Sequence, residues 1–565
     1  MTRSNKKFNL FILGIVFINL IQSYFTPIIK DEAYYWRWSQ DLDWGFFDHP
    51  PLVAFIIKLS SFFFADALGV RFITVLLNAL MIKIIWELIP VKNKTHKNSA
   101  FIFFMILMAM PFVNLYGFIT TPDAPLLFFS ALYLLALKRF EAKSQLFNIL
   151  FLSLAAALLI YTKYFGGIVI LLSFIFNPKL FLKKSTYLVG ILAFIILIPY
   201  LYWLYNNDFI SLNYHLFQRK SIGYLQPKFV YGYLLGTIGI LNPALILLLF
   251  WQLVKKKVAV SKENSFMIRM FVGYLAFFFL YSFRSWIEAH WIAFAVIPMT
   301  LLLYDLCILN MKLFNQVKYI GIISIVLIFG LRIAITLNLP LKTEFHIQKK
   351  DYFTSIDKFA EDRVVIFINS YQNASKYSYY TKKDAYSIND IYYRPNQYSL
   401  WNFEGKIKDK KVLFIGAGSS AFTDSIKLET GDYVKYKKSE VFFLLGNLKA
   451  TFVKPFNTIY NNQFKTLELS VYNPYNYDLV LDKEYSAYQM ALLLEKDNQQ
   501  IVVPLIAEYT QKLYAKSSNP IKLNYQLAAI KDGDYKFSVV IKDTILYYRQ
   551  ISEKKVVHIK DTTLN

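Results

Sequence analysis

Lys30-Asp31-Glu32-Ala33-Tyr34-Tyr35-Trp36, followed by Asp41, Asp43, Trp44 and Phe47-Asp48-His49-Pro50-Pro51-Leu52, forms a dense polar island directly after the first long apolar run. Between residues 29 and 52 it gathers five carboxylates, one histidine, three tryptophans and two tyrosines. Ionisable groups held next to a bilayer are costly, so a cluster of this kind marks a functional site. The adjacent acids Asp31 and Glu32 have a plain alternative role as N-terminal caps of a helix, where negative charge is favoured. The functional reading beside it is a general base that takes a proton from an attacking hydroxyl.

Outward from this island the chain is strongly apolar. Of its 565 residues, 56% are hydrophobic, above the 45–50% usual for soluble domains. The excess lies before about residue 340, in repeated apolar runs of roughly 18 residues or more that read as membrane spans. Spans are expected near 8–29, 68–89, 99–119, 123–138, 146–162, 164–178, 186–205, 229–254, 266–283, 286–309 and 317–337. The N-terminal run lacks a small-residue cleavage site and reads as a retained helix. The run 52–65 is too short for a span and reads as an interfacial helix of the first loop.

The net charge of +24 does not point to nucleic acid, because the cations sit in short loops. Arg3, Lys6 and Lys7; Lys92, Lys94 and Lys97; Lys138, Arg139 and Lys143; Lys179, Lys183 and Lys184; Lys255 to Lys257; and Lys312 and Lys318 occupy every alternate loop. Such loops face the cytoplasm. The N-terminus is then cytoplasmic, and the first loop, Asp123, Asp208 and Glu288 are on the outer side. An odd number of spans, about eleven, also puts the C-terminal region outside. Cys307 is the only cysteine, so neither an internal disulfide nor a cysteine metal site exists.

Other polar motifs fall on the same outer side. Asp48-His49-Pro50-Pro51 reads either as a rigid turn or as a pair that orients an acceptor or binds a divalent ion; one histidine among scattered acids does not decide metal use. Thr121-Pro122-Asp123-Ala124-Pro125 reads as a helix-start turn or as a second working carboxylate. Lys163, between two short spans, is a snorkelling lysine or a cation for a lipid phosphate. Arg219, Lys220, Arg284 and His290 offer the same service to a phosphate leaving group. Arg284-Ser285-Trp286-Ile287-Glu288-Ala289-His290-Trp291 puts a charged triad at a helix mouth.

After residue 340 no run is long enough to span. Val364–Asn369 and Lys411–Gly416 suggest a small α/β domain over 340–440. Alternating runs at Glu440–Leu445, Thr466–Val471 and Tyr535–Ile541 suggest a β-rich domain over 441–565. Gly416-Ala417-Gly418 is too short for a dinucleotide fingerprint.

Five motifs, in this order, resemble the bacterial GT-C glycosyltransferases of the protein O-mannosyltransferase and lipid A aminoarabinose transferase superfamily. They are Asp31-Glu32-Ala33-Tyr34-Tyr35-Trp36, Phe47-Asp48-His49-Pro50-Pro51-Leu52, Pro122-Asp123-Ala124-Pro125-Leu126, Thr162-Lys163-Tyr164 and Glu288-Ala289-His290-Trp291. Tyr371-Gln372-Asn373-Ala374-Ser375 and Arg394-Pro395-Asn396-Gln397-Tyr398 carry a looser likeness. The resemblance covers about residues 8–310 and implies a GT-C-like membrane domain over 1–339. It also implies a polyprenyl-phosphate-sugar donor, a lipid, glycan or protein hydroxyl acceptor, and inversion at the anomeric carbon. Catalysis then falls to Asp31, Glu32 and Asp123, and substrate binding to Tyr35, Asp48, His49, Lys163, Arg219, Arg284, Glu288 and His290. The implied location is the bacterial cytoplasmic membrane, with the chemistry on its outer face. Members differ in metal dependence, which leaves that question open at Asp48 and His49. The rival class is a lipid-linked-sugar translocase; such proteins usually place polar residues at midplane in broken helices and repeated halves, and no repeat is evident. A receptor acting through its C-terminal region would not need the first-loop cluster.

Overall fold

The computed structural model describes all residues except 1–2, 219–225, 256–260, 338, 340–342, 347–348, 392, 402, 417–421, 423, 443–446, 455–457, 461–463, 482–487, 497–498, 508–509, 528–529, 544–547 and 561–565. The chain divides into two compact units, Met1–Lys350 and Asp351–Asn565.

The first unit is helical. Its elements are α1 (Arg3–Phe25), α2 (Lys30–Gln40), α3 (Leu52–Ser61), α4 (Asp66–Leu88), α5 (Val91–Lys94), α6 (Ser99–Met108), α7 (Pro111–Leu115), α8 (Asp123–Ala142), α9 (Leu146–Thr162), α10 (Phe165–Phe176) and α11 (Lys184–Asn206). There follow α12 (Ile210–Asn213), α13 (Pro227–Leu241), α14 (Pro243–Val254), α15 (Lys262–Ser282), α16 (Val296–Leu309) and α17 (Met311–Thr336). Among the described residues, six helical stretches are long and apolar enough to cross a membrane: 6–25, 66–88, 184–206, 263–282, 289–309 and 311–336. Several of them leave large apolar side chains such as Leu13, Phe17, Ile191, Phe194, Val326 and Leu327 exposed, as lipid-facing helices do. The protein is a polytopic helical membrane protein.

Two expected spans are broken, for visible reasons. The run 99–119 stops at Met108 and restarts at Pro111, because proline cannot continue the preceding ladder. The run 229–254 bends by 100° between α13 and α14. The break is at Asn242, whose φ of 78° leaves the helical region and whose side chain accepts from the backbone N–H of Ala244 and Leu245, capping α14. The stretch 52–65 forms only the ten residues of α3, packed against α2, α4 and α9.

The second unit opens with a mixed sheet of β1 (Val364–Ile368), β2 (Ala385–Ile388), β3 (Val412–Gly416), β4 (Asp424–Lys427) and β5 (Tyr433–Ser439), in the order β2-β1-β3-β5-β4. β1 runs parallel to both β2 and β3, and β5 is antiparallel to β3. Every residue of β2 and β3 is buried, which suits strands covered on both faces. The described residues of 449–560 form three further sheets, of six, four and two strands, with pairs such as Leu492↔Val539 in the six-stranded and Leu469↔Ile521 in the four-stranded sheet. These side chains share one apolar core, the arrangement of a β-sandwich.

Candidate active site

Asp31 sits in the first turn of α2 and is half-buried. The next residue takes a different environment. Glu32 is fully buried and meets the fully buried Arg71 of α4, whose Nε and Nη2 each donate to one of its oxygens. The backbone N–H of Ile29 and of Thr120 donate to the same carboxylate at 3.1 and 2.9 Å. Arg71 also donates to the carbonyls of Ser23, Thr26 and Pro27. Glu32, expected to share the chemistry with Asp31, is therefore a tie: it locks the start of α2 to α4 and to the loop ahead of α8. A buried ion pair survives when its remaining lone pairs and protons are used in this way.

That loop carries the second acid. Asp123 begins α8 and is 2% exposed. Lys163, at the break between α9 and α10, donates to its Oδ1 at 2.8 Å, and His290 Nε2 lies 3.7 Å from its Oδ2. The lysine is itself buried, with its ammonium 5.1 Å from the centre of the Phe165 ring and 6.0 Å from that of Trp291. The break exposes backbone that a continuous helix would satisfy, and Gly166 closes it by donating to the Lys163 carbonyl at 2.9 Å.

Tyr116 connects the acids. Its ring is 6.2 Å from that of His290, and Asp123, Asp31, Glu344 and Glu288 all act electrostatically on its hydroxyl. Beside them is an aromatic wall. Trp38 stacks on Phe46 at 4.5 Å, and Tyr35 packs edge-on to Trp38 and 6.0 Å from His49. Tyr34 donates to Asp48 Oδ2 at 3.0 Å, and His215 Nε2 is 2.9 Å from the Asp48 carbonyl. Tyr200 donates to the Tyr164 hydroxyl, which lies 2.6 Å from that of Ser211; Ser211 donates to the Phe47 carbonyl. The chain of hydroxyls holds the Asp48-His49 turn against α10 and α11.

Among the described residues, no three His, Cys, Asp or Glu side chains gather as a metal would require.

The family model described as dolichyl-phosphate-mannose-protein mannosyltransferase matches residues 48–203. In three dimensions the chain is similar to ArnT from Cupriavidus metallidurans in the apo state, with a TM-score of 0.52 at 11% identity over 73% of this chain and 93% of that one. The same protein bound to undecaprenyl phosphate gives a TM-score of 0.55 at 10% identity, over 76% and 97% of the two chains. The chain has the GT-C-like fold of those structures. A stretch of 51 residues is also 39% identical to the lipid A galacturonosyltransferase RgtD of Rhizobium johnstonii; it spans 9% of this chain and 11% of that relative.

Of the residues singled out in the sequence, the fold brings Asp123, Lys163 and His290 together and sets Tyr35, Asp48 and His49 in the aromatic wall, while Asp31 and Glu288 are each half-buried. Arg284 is exposed. Arg219 lies outside the described residues. The sequence reading missed Arg71, Tyr116, His215 and Glu344. Arg71 alone carried a usable signal, a charge inside an apolar run; the others stand in stretches with no distinguishing pattern.

Proposed function

We propose that this protein is an inverting glycosyltransferase, moving a sugar from a polyprenyl-phosphate donor to a hydroxyl of a lipid, glycan or protein at the outer face of a bacterial cytoplasmic membrane. The observation that carries the reading is the buried Asp123–Lys163 pair, 2.8 Å apart, with half-buried His290 3.7 Å from the same carboxylate, in a chain with the fold of the ArnT structures. The binding of undecaprenyl phosphate by the ArnT neighbour supports the donor class. In this reading residues 1–339 are the catalytic domain, and 340–440 and 441–565 are extracytoplasmic α/β and β-rich domains.

Asp31 takes the proton of the acceptor hydroxyl as its oxygen attacks the anomeric carbon from the face opposite the phosphate. The bond from that carbon to the phosphate oxygen breaks, its electron pair stays on the phosphate, and polyprenyl phosphate leaves. Lys163 and His290, set in place by Asp123, and Arg284 at the mouth meet the charge that develops on the phosphate. A general base in such a step contributes roughly 10²–10⁴-fold in rate. Glu32 acts at one remove, holding α2 so that Asp31 points at the site. Tyr35, Asp48 and His49 shape the acceptor side.

The bend between α13 and α14 is the feature that favours a translocase, because transporters use discontinuous helices. The two readings separate on one assay. The purified protein, given undecaprenyl-phosphate-linked sugars and an extract of envelope lipids and glycans, forms a glycosylated product and free undecaprenyl phosphate. Lipid-linked sugar that crosses vesicle membranes without being consumed overturns the transferase reading.

A further inference from the structure

The second unit contains a cavity of about 940 Å³, near the upper end of the roughly 300–1,000 Å³ typical of small-molecule sites. Its floor is built. Glu404 is 5% exposed and takes Arg549 Nη1 at 2.9 Å on one oxygen, and the Tyr475 hydroxyl and Asn447 Nδ2, both at 2.8 Å, on the other. Burial and then the adjacent Glu404 charge push the Tyr475 hydroxyl well above its ordinary range, so it remains a donor to that carboxylate at all physiological pH. Arg549 cancels the Glu404 charge at the base of the cavity.

The walls are cationic. Lys408, Lys449, Lys516 and Lys555 line the cavity, against Glu553 as the other acid besides Glu404. Lys449, Lys516 and Lys555 are exposed. Lys408 is half-buried, its ammonium 3.6 Å from the centre of the Tyr477 ring, and Tyr477 stacks on Tyr475. With Arg549 included, the described lining and floor carry five cations and two acids. Between the lysines stand short neutral hydrogen-bonding groups, Thr451, Asn476, Gln550 and Ser552. Cations interleaved with amide and hydroxyl groups match a ligand that carries both anionic groups and many hydroxyls. An acidic peptide offers the charge without the hydroxyls, and a neutral sugar the hydroxyls without the charge.

We propose that the cavity of the second unit, walled by Lys408, Lys449, Lys516 and Lys555 over the Glu404–Arg549–Tyr475 floor, is a binding site for an anionic saccharide. The acceptor glycan of the transfer reaction is the natural occupant. That last assignment rests on the glycosyltransferase reading; the binding of an anionic saccharide does not.

The test is titration calorimetry on the full chain in detergent micelles with trigalacturonic acid, glucosamine 1-phosphate, maltotriose and a hexaglutamate peptide. The carboxylated or the phosphorylated sugar binds, more weakly as salt rises, and the tighter of the two names the anion. Maltotriose and hexaglutamate bind at least tenfold more weakly. The double variant Lys449→Glu/Lys555→Glu, at exposed positions, keeps the wild-type melting temperature and loses at least tenfold in affinity. Equal binding of maltotriose or hexaglutamate, no binding of either anionic sugar at millimolar concentration, or unchanged affinity in the double variant overturns the proposal. Asp31→Asn leaves this binding intact, so a failed transfer mechanism and a failed saccharide site give different results.

Discussion

Two neighbouring carboxylates, Asp31 and Glu32, show how far a side chain's surroundings decide its work. Both stand in the first turn of α2, and in sequence they are equivalent candidates for the base. Glu32 is committed to Arg71 and two backbone N–H groups, while Asp31 is half-buried. The difference arises because successive helix positions are about 100° apart, so the two acids leave α2 in different directions and only Glu32 meets Arg71 of α4. Arg71→Leu should therefore destabilise the protein by about 3–5 kcal/mol, since it leaves a buried charge alone. The double variant Glu32→Leu/Arg71→Leu should recover much of that loss. Thermal melts of detergent-solubilised protein check both; equal melting temperatures for the single and double variants would remove the role given to this pair. The sequence marks Asp31, Asp123, Lys163 and His290 as site residues because charged groups beside apolar runs have few structural reasons to be there. It does not mark Tyr116 or His215, which look like any aromatic or polar side chain at a helix end.

At the level of elements, breaks in helices place the polar groups. Lys163 reaches Asp123 because α9 ends at Thr162 and α10 starts only at Phe165. The close approach depends on Gly166: a Cβ there would lie 2.4 Å from the Leu159 carbonyl oxygen and 2.8 Å from Leu159 Cγ. Gly166→Ala should push α10 from α9, displace Lys163, and reduce transfer at least tenfold. Lys163→Arg should retain more activity than Lys163→Met, because it keeps the cation beside Asp123. Steady-state rates of donor consumption decide; a fully active Gly166→Ala would show that this junction does not position the lysine. At Asn242, loss of the cap in Asn242→Ala should cost about 1 kcal/mol. These breaks are partly legible in the sequence. Pro111 announces the end of α6, whereas the 100° bend at Asn242 follows from a single asparagine adopting positive φ, which apolar periodicity does not register.

For the molecule as a whole, the proposed orientation sets the basic loops inside and the first-loop acids outside, and labelling tests it directly. With Cys307→Ser as background, a cysteine at Trp44, which is 49% exposed, should react with a membrane-impermeant maleimide in intact spheroplasts. A cysteine at Lys143 should react only after permeabilisation. The reverse pattern would place the acids on the cytoplasmic side and end the proposed topology. The polytopic GT-C fold was legible because apolar run length is a strong signal. The nature of each short apolar helix was not, since a ten-residue run such as α3 reads equally as an interfacial or a buried helix. The central claim is that Asp31 removes the acceptor proton beside a lipid-linked sugar. Its most direct test is release of undecaprenyl phosphate from the donor by purified wild type and Asp31→Asn under single-turnover conditions with acceptor present. The account predicts turnover by the wild type, and at least a hundredfold slower release by a variant that melts and binds donor as the wild type does; release at the wild-type rate from Asp31→Asn would contradict it.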